Sequence, residues 1–163
     1  MEYKEKVELI KQGKNLDEFI NDSNYFIRCK IAKIGYGLDK LINDSDSFVR
    51  VEVAKQGYGL DILINDPSYI VRYAVARQGY GLDKLINDKD WHVRYAVAEQ
   101  GYGLNILIND SNPSVRLGVA RQGYGLDILI NDPKEYIRGA VIDYCKEHIN
   151  NEECKKILLL NNI

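Results

Sequence analysis

The chain of 163 residues is long enough to bury one substantial core, and its apolar fraction of 45% is that of an ordinary globular protein. With 22 Lys and Arg against 24 Asp and Glu, the net charge of -2 supplies no global pull toward nucleic acid or an anionic membrane. No window holds the roughly 18 consecutive apolar residues of a membrane span, and MEYKEKVELIKQGK alternates charge where a secretory signal is apolar, so a cytoplasmic protein without membrane association is expected.

Residues 1–12 are read as an N-terminal capping helix, in which Glu5 takes the place of a core valine while Leu9 and Ile10 point inward. From Gly13 onward the chain repeats itself. GKNLDEFIND is a weak first copy, followed by GYGLDKLIND at Gly35, GYGLDILIND at Gly57, GYGLDKLIND at Gly79, GYGLNILIND at Gly101 and GYGLDILIND at Gly123, always in steps of 22 residues. Six units thus occupy 13–144, and 145–163 forms a C-terminal cap, with Asn151 as N-cap of an apolar segment through Ile157 to Leu160. The whole chain, 1–163, is read as one repeat domain.

Within each unit an Asn-Asp pair leads into Val-Arg or Ile-Arg and then, in most units, Val-Ala. Asp66 and Asp132 precede proline, which predicts a helix capped at that aspartate with the proline in its first turn. The helix runs through segments such as SYIVRYAVARQ and ends at Gly57, Gly79, Gly101 or Gly123 in the left-handed conformation. The remaining LDKLIN piece suffices for one short α or 3₁₀ turn. One unit cannot bury its apolar side alone, so the units must stack, with Leu60, Leu63, Ile64, Val71, Val75 and Ala76 forming one rung of a shared core. The predicted fold is all-α: a right-handed α-solenoid of six 22-residue units between two capping helices.

At DPSYIVRYAVA, from Asp66 to Ala76, the chain resembles the HEAT-like superfamily and within it the leucine-rich repeat variant type, whose units share this Asp-Pro, Val-Arg and Val-Ala spacing. The resemblance implies alternating α and 3₁₀ helices and a surface that binds proteins or nucleic acids. Some HEAT-like proteins are DNA glycosylases, and the variant family carries an iron-sulfur cluster on clustered cysteines. No comparable cluster occurs here, so no cofactor is expected.

Residues present in every unit are most simply explained by a job every unit shares. Arg28, Arg50, Arg72, Arg94, Arg116 and Arg138, with Asp22, Asp44, Asp66, Asp88, Asp110 and Asp132, are read as a structural ladder rather than an anion-binding stripe. Tyr36, Tyr58, Tyr80, Tyr102 and Tyr124 are read as packing over the glycine turns rather than stacking bases.

Function is sought instead in the irregular columns. With Val71 pointing inward and about 100° per residue, Tyr69, Tyr73 and Arg77 lie between about 160° and 240°, on the outer side. Down the units that side reads Tyr3, Tyr25, Ser47, Tyr69, Trp91, Pro113, Glu135 and Val7, Cys29, Val51, Tyr73, Tyr95, Leu117, Gly139. Apolar residues dominate a face that an isolated repeat array would make polar. Tyr69, Tyr73, Trp91 and Tyr95 are expected to form one aromatic patch for a protein partner, flanked by Tyr25, Arg77, His92, Glu99, Leu117 and Arg121. Self-association would cover the same face. The alternative is nucleic acid, for which Lys11, Lys33, Lys55, Arg77 and Arg121 supply cations beside rings, while Glu52, Glu99, Glu135 and Asp143 interrupt them.

Catalysis is not expected. His92 and His148 belong to no paired catalytic pattern, and Cys145, His148 and Cys154 lack a fourth ligand and the usual zinc spacing, so no metal is expected either. Three unevenly spaced cysteines argue against a disulfide framework.

Overall fold

The computed structural model describes residues 1–161, whose regular elements are all helices joined by turns, without strands. Long and short helices alternate as the repeat requires. Packing groups the chain into two compact units, 1–81 and 82–163. The first holds the long helices α1 (Tyr3–Lys11), α3 (Tyr25–Lys33), α5 (Ser47–Lys55) and α7 (Tyr69–Arg77), separated by the four-residue helices α2 (Leu16–Phe19), α4 (Leu38–Leu41) and α6 (Leu60–Leu63). The second holds α8 (Leu82–Leu85), α9 (Trp91–Glu99), α10 (Leu104–Leu107), α11 (Pro113–Arg121), α12 (Leu126–Leu129), α13 (Glu135–Glu147) and α14 (Glu152–Leu160).

Long helices pack on their sequence neighbours: α1 on α3, α3 on α5 and α5 on α7 in the first unit, α9 on α11, α11 on α13 and α13 on α14 in the second. This sequential stacking is the construction of an α-solenoid. Val49, Val53, Val93, Val97, Val115 and Val119 are fully buried, each contributing on the order of 1.5–3 kcal/mol of transfer free energy. The short-helix residues Leu63 and Ile64, or Leu107 and Ile108, close the same core, whereas Leu60 and Leu82 are only half-buried. In the caps, Ile10 is buried, Leu9 half-buried and Glu5 exposed, while Ile157 and Leu158 are buried and Leu159 and Leu160 face outward. Asn151 does cap α14, accepting the N–H groups of Glu153 and Cys154.

The short helices are α-helical at their centre. Leu107 and Ile108 donate to the carbonyls of Gly103 and Leu104 at 3.0 and 2.9 Å, and 3₁₀-type bonds bracket them at Ile106 and Asn109. Gly101 ends α9 at φ 72, its N–H donating to the Ala98 carbonyl at 2.9 Å. Gly103 then starts α10 at φ 60, and a β-carbon there would overlap Cδ1 of Ile86, which belongs to the preceding repeat. In the weak first copy Asn15 takes this place at φ 56, tolerable because asparagine visits the left-handed region.

One detail of the helix starts differs from expectation. The ladder aspartates are not the N-caps, which lie two residues later at Asn24, Asp46, Ser68, Asp90, Asn112 and Lys134. Asp44, for example, accepts the N–H of Asp46 at 2.9 Å, and Asp46 in turn accepts that of Phe48 at 2.8 Å. Pro67 and Pro133 therefore stand ahead of their helices, and only Pro113 enters a first turn. The physical reason is that Asp44, Asp66, Asp110 and Asp132 are each engaged by an arginine of the preceding repeat. Arg28 donates from Nε and Nη2 to Asp44 at 2.6 and 2.8 Å, and from Nη1 to the Asp22 carbonyl at 2.7 Å. Arg50 with Asp66, Arg94 with Asp110 and Arg116 with Asp132 repeat the fork, and Lys6 replaces the arginine at Asp22.

Candidate interaction surface

The outer face of the long helices is wider than the two expected columns. Ala54, Ala76, Ala98 and Ala120, about 140° from the inward valine, are fully buried, so the exposed arc is displaced and reaches the residue at about 260°. That column contains Phe26, Phe48 and Tyr136, exposed by 53%, 55% and 49%. In the sequence it is the column one place after Tyr25, which runs Phe26, Phe48, Ile70, His92, Ser114 and Tyr136, and the ideal helical wheel put it at the margin. On the short helices Ile62, Ile106 and Ile128 are likewise exposed.

In the first unit the caps position the rings. Asn24 and Asp46 accept the N–H groups of Phe26 and Phe48, which sets both phenylalanines on the outward edge of a first turn. Tyr25, half-buried, stacks on Phe26 with centroids 4.1 Å apart and on Phe48 at 6.1 Å. These three rings, with Cys29, Lys30, Lys33 and Glu52, line a groove of about 310 Å³. Burial first, then the Glu52 carboxylate, pushes the Cys29 thiol up to about 11, so it is neutral and acts as an apolar wall. Glu52 accepts from Lys55 at 2.7 Å, while Lys30 and Lys33 have no ion-pair partner among the described residues. Of the residues expected at the surface of this unit, Tyr69 is exposed at the start of α7, Arg77 is exposed at its end, and Tyr73 is half-buried.

The second unit holds the other expected residues, so the proposed patch is divided between the two units. Trp91 is half-buried and stacks on His92 at 3.6 Å, and His92 Nδ1 lies 2.9 Å from the cap carboxylate of Asp90. Tyr95, expected to face solvent, is half-buried. It lies against Gly118, where a β-carbon would meet its ring at 3.3 Å and the Ala98 methyl at 3.1 Å, and its hydroxyl accepts from Arg121 at 3.2 Å. Burial first, then the charge of Glu99, holds the Tyr95 phenol above its usual value. Leu117 and Glu99 are half-buried and Arg121 is exposed.

Two helical glycines, Gly118 and Gly139, make different predictions. Gly139 has nothing within 4 Å of a β-carbon, so Gly139→Ala is expected to raise stability by about 0.5–1 kcal/mol in urea melts. Gly118→Ala is expected to gain less, because Tyr95 must move. A larger gain at Gly118 would show that the tyrosine is not seated there.

The turn tyrosines are looser than expected: Tyr58, Tyr80, Tyr102 and Tyr124 are 41–42% exposed, and only Tyr36 is half-buried, donating its hydroxyl to Asp17 at 2.7 Å. Cys145 and Cys154 are buried beside one another as free thiols, and burial pushes that of Cys145 up to about 12. Among the described residues no three His, Cys, Asp or Glu side chains gather as metal ligands, and no helix is long and apolar enough to cross a membrane. Comparison with protein-family models found no match, and comparison with curated proteins found none either.

Proposed function

We propose that the protein is a non-catalytic interaction scaffold of the cytoplasm, a HEAT-like α-solenoid of the leucine-rich repeat variant type, that holds a protein partner on the outer face of its long helices. The observation that supports this reading best is the cluster of Tyr25, Phe26 and Phe48, with both phenylalanines more than half exposed. Exposed aromatic clusters of this kind are typical anchors at partner surfaces. The scaffold fixes the rings by capped helices, so docking would cost little ordering entropy and the buried ring area would count toward affinity. Lys30 and Lys33 beside the rings favour nucleic acid as a second reading, and Glu52 in the same groove opposes it.

The test is capture by immobilised protein from nuclease-treated and untreated lysate of the source organism, read by mass spectrometry. Phe26→Ser with Phe48→Ser is expected to remove the captured protein while leaving the thermal melt within a few degrees, as exposed substitutions do. Undiminished capture by this variant would overturn the assignment of the face, and capture lost only after nuclease would favour the nucleic-acid reading.

A further inference from the structure

A second recognition feature lies wholly within the unit 82–163. Along α13, Tyr136, Gly139, Asp143 and Glu147 recur at three- and four-residue steps and so share one face. With Leu117 of α11 they line an open groove of about 490 Å³. One helix pair earlier the equivalent surface, between α9 and α11, is closed by the Tyr95 ring lying on Gly118. In the groove, Leu117 stands in the place of Tyr95, and Gly139 follows it with open space above its α-carbon. The ring at the Tyr95 position is missing here, and Tyr144, which also lines the groove, lies over Gly123 and stacks on His148 instead. A helical glycine without any neighbour to accommodate is an energetic loss that packing does not explain.

The two carboxylates of the groove are also unpaired. Asp143 and Glu147, one turn apart, make no ion pair or side-chain hydrogen bond with any described residue. Arg121 lines the groove as well, but its Nη1 donates to the Tyr95 hydroxyl at 3.2 Å, which draws the guanidinium toward α9. Tyr136 is 49% exposed at the other end.

We infer that this groove docks an arginine side chain carried by an extended segment of a protein partner. The guanidinium would fork onto the two carboxylates, and the methylene stem would lie along Leu117 in the space left by Gly139, with Tyr136 left to meet the flanking residues of the segment. A phosphate-bearing ligand would meet two carboxylates instead. The inference rests on the scaffold reading only in that the occupant is a protein segment; the ring cluster on α3 and α5 plays no part in it.

The experiment titrates the ¹⁵N-labelled full chain with acetylated, amidated heptapeptides of Ala and Leu that differ only in a central Arg, Lys, Gln or Glu. The Arg peptide is expected to shift the Gly139 and Asp143 amides saturably, with Lys weaker and Gln and Glu without effect. Asp143→Asn with Glu147→Gln is expected to weaken the Arg peptide by roughly tenfold or more, the loss of charge-assisted bonds. Gly139→Leu, which fills the groove without touching the core, is expected to abolish the shifts while α13 stays folded. Equal response to Arg and Glu peptides, indifference to the carboxylate substitutions, or no shift at Gly139 would overturn the inference. Shifts confined to Lys30 and Phe48 would overturn it while leaving the aromatic face intact.

Discussion

Asp110→Ala is expected to lower folding stability by about 3 kcal/mol, measured as the shift of a urea unfolding transition at pH 7. Asp110 accepts both arms of the Arg94 fork, at 2.6 and 2.9 Å, and the N–H of Asn112 at 2.8 Å, so its removal opens the helix start as well as the ladder. The side chains of this pair are only 16% and 7% exposed, so a bare Arg94 would be left mostly desolvated. A change below about 1 kcal/mol would place the fork among weak surface pairs.

The same ladder sets an acid limit. Burial opposes ionisation of Asp44, Asp110 and Asp132 more than any other single influence, yet the arginine forks, the capped N–H groups and the neighbouring arginine charges together hold each below the ordinary aspartate value of 3.8. Asp22 is lowered likewise, with Lys6 in place of the fork. A carboxylate whose pKa is depressed by folding stabilises the native state above its unfolded pKa. That contribution disappears as pH falls through the folded value. Stability is therefore expected to hold between about pH 5 and 7 and to fall below about pH 4, and the fall should be shallower in the Asp110 variant.

Gly103→Ala is expected to cost about 2 kcal/mol or more, and Gly101→Ala only about 1, although both glycines have positive φ. At Gly101 an added methyl meets nothing nearer than Gln122 Oε1 at 4.0 Å, so the cost is that of the backbone alone. At Gly103 the methyl also collides with Ile86 Cδ1, and Ile86 is 6% exposed with little room to turn away. Ile86→Val deletes that atom at a cost of about 1 kcal/mol by itself. The double variant should therefore fall short of the sum of the two losses by about 1 kcal/mol, a coupling readable from a double-mutant cycle. Additive losses would show that the backbone, not the isoleucine, sets the glycine requirement.

The repeat, the helix alternation and the inward valines were legible because every unit meets the same environment, so the same residues recur at the same step. The cap was not. Asp66 and Ser68 are both good cap formers and Pro67 suits a first turn, so local preferences tie, and the Arg50 fork from the preceding repeat breaks the tie by engaging Asp66. The exposed face of the long helices was legible as a set of columns but not in its centre. Its rotation depends on how deeply Ala76 and its equivalents sink, and the fate of Tyr95 depends on a glycine on the next long helix, at Gly118. The exposure of Phe26 and Phe48 was not read for the first reason, and Tyr95, read as facing solvent, is half-buried for the second.

Asn15 gives the array a direction. Each second glycine answers to an isoleucine in the unit ahead of it, as Gly37 answers to Ile20, so the demand is passed along the chain from N- to C-terminus and never backward. In the weak first copy the equivalent residue is Asn15, which carries a side chain at φ 56 where the later units have glycine. New units can thus be spliced between existing ones by simple copying. Lengthening the array ahead of α2 instead requires editing the acceptor, since Asn15 would have to become glycine before an incoming isoleucine could seat.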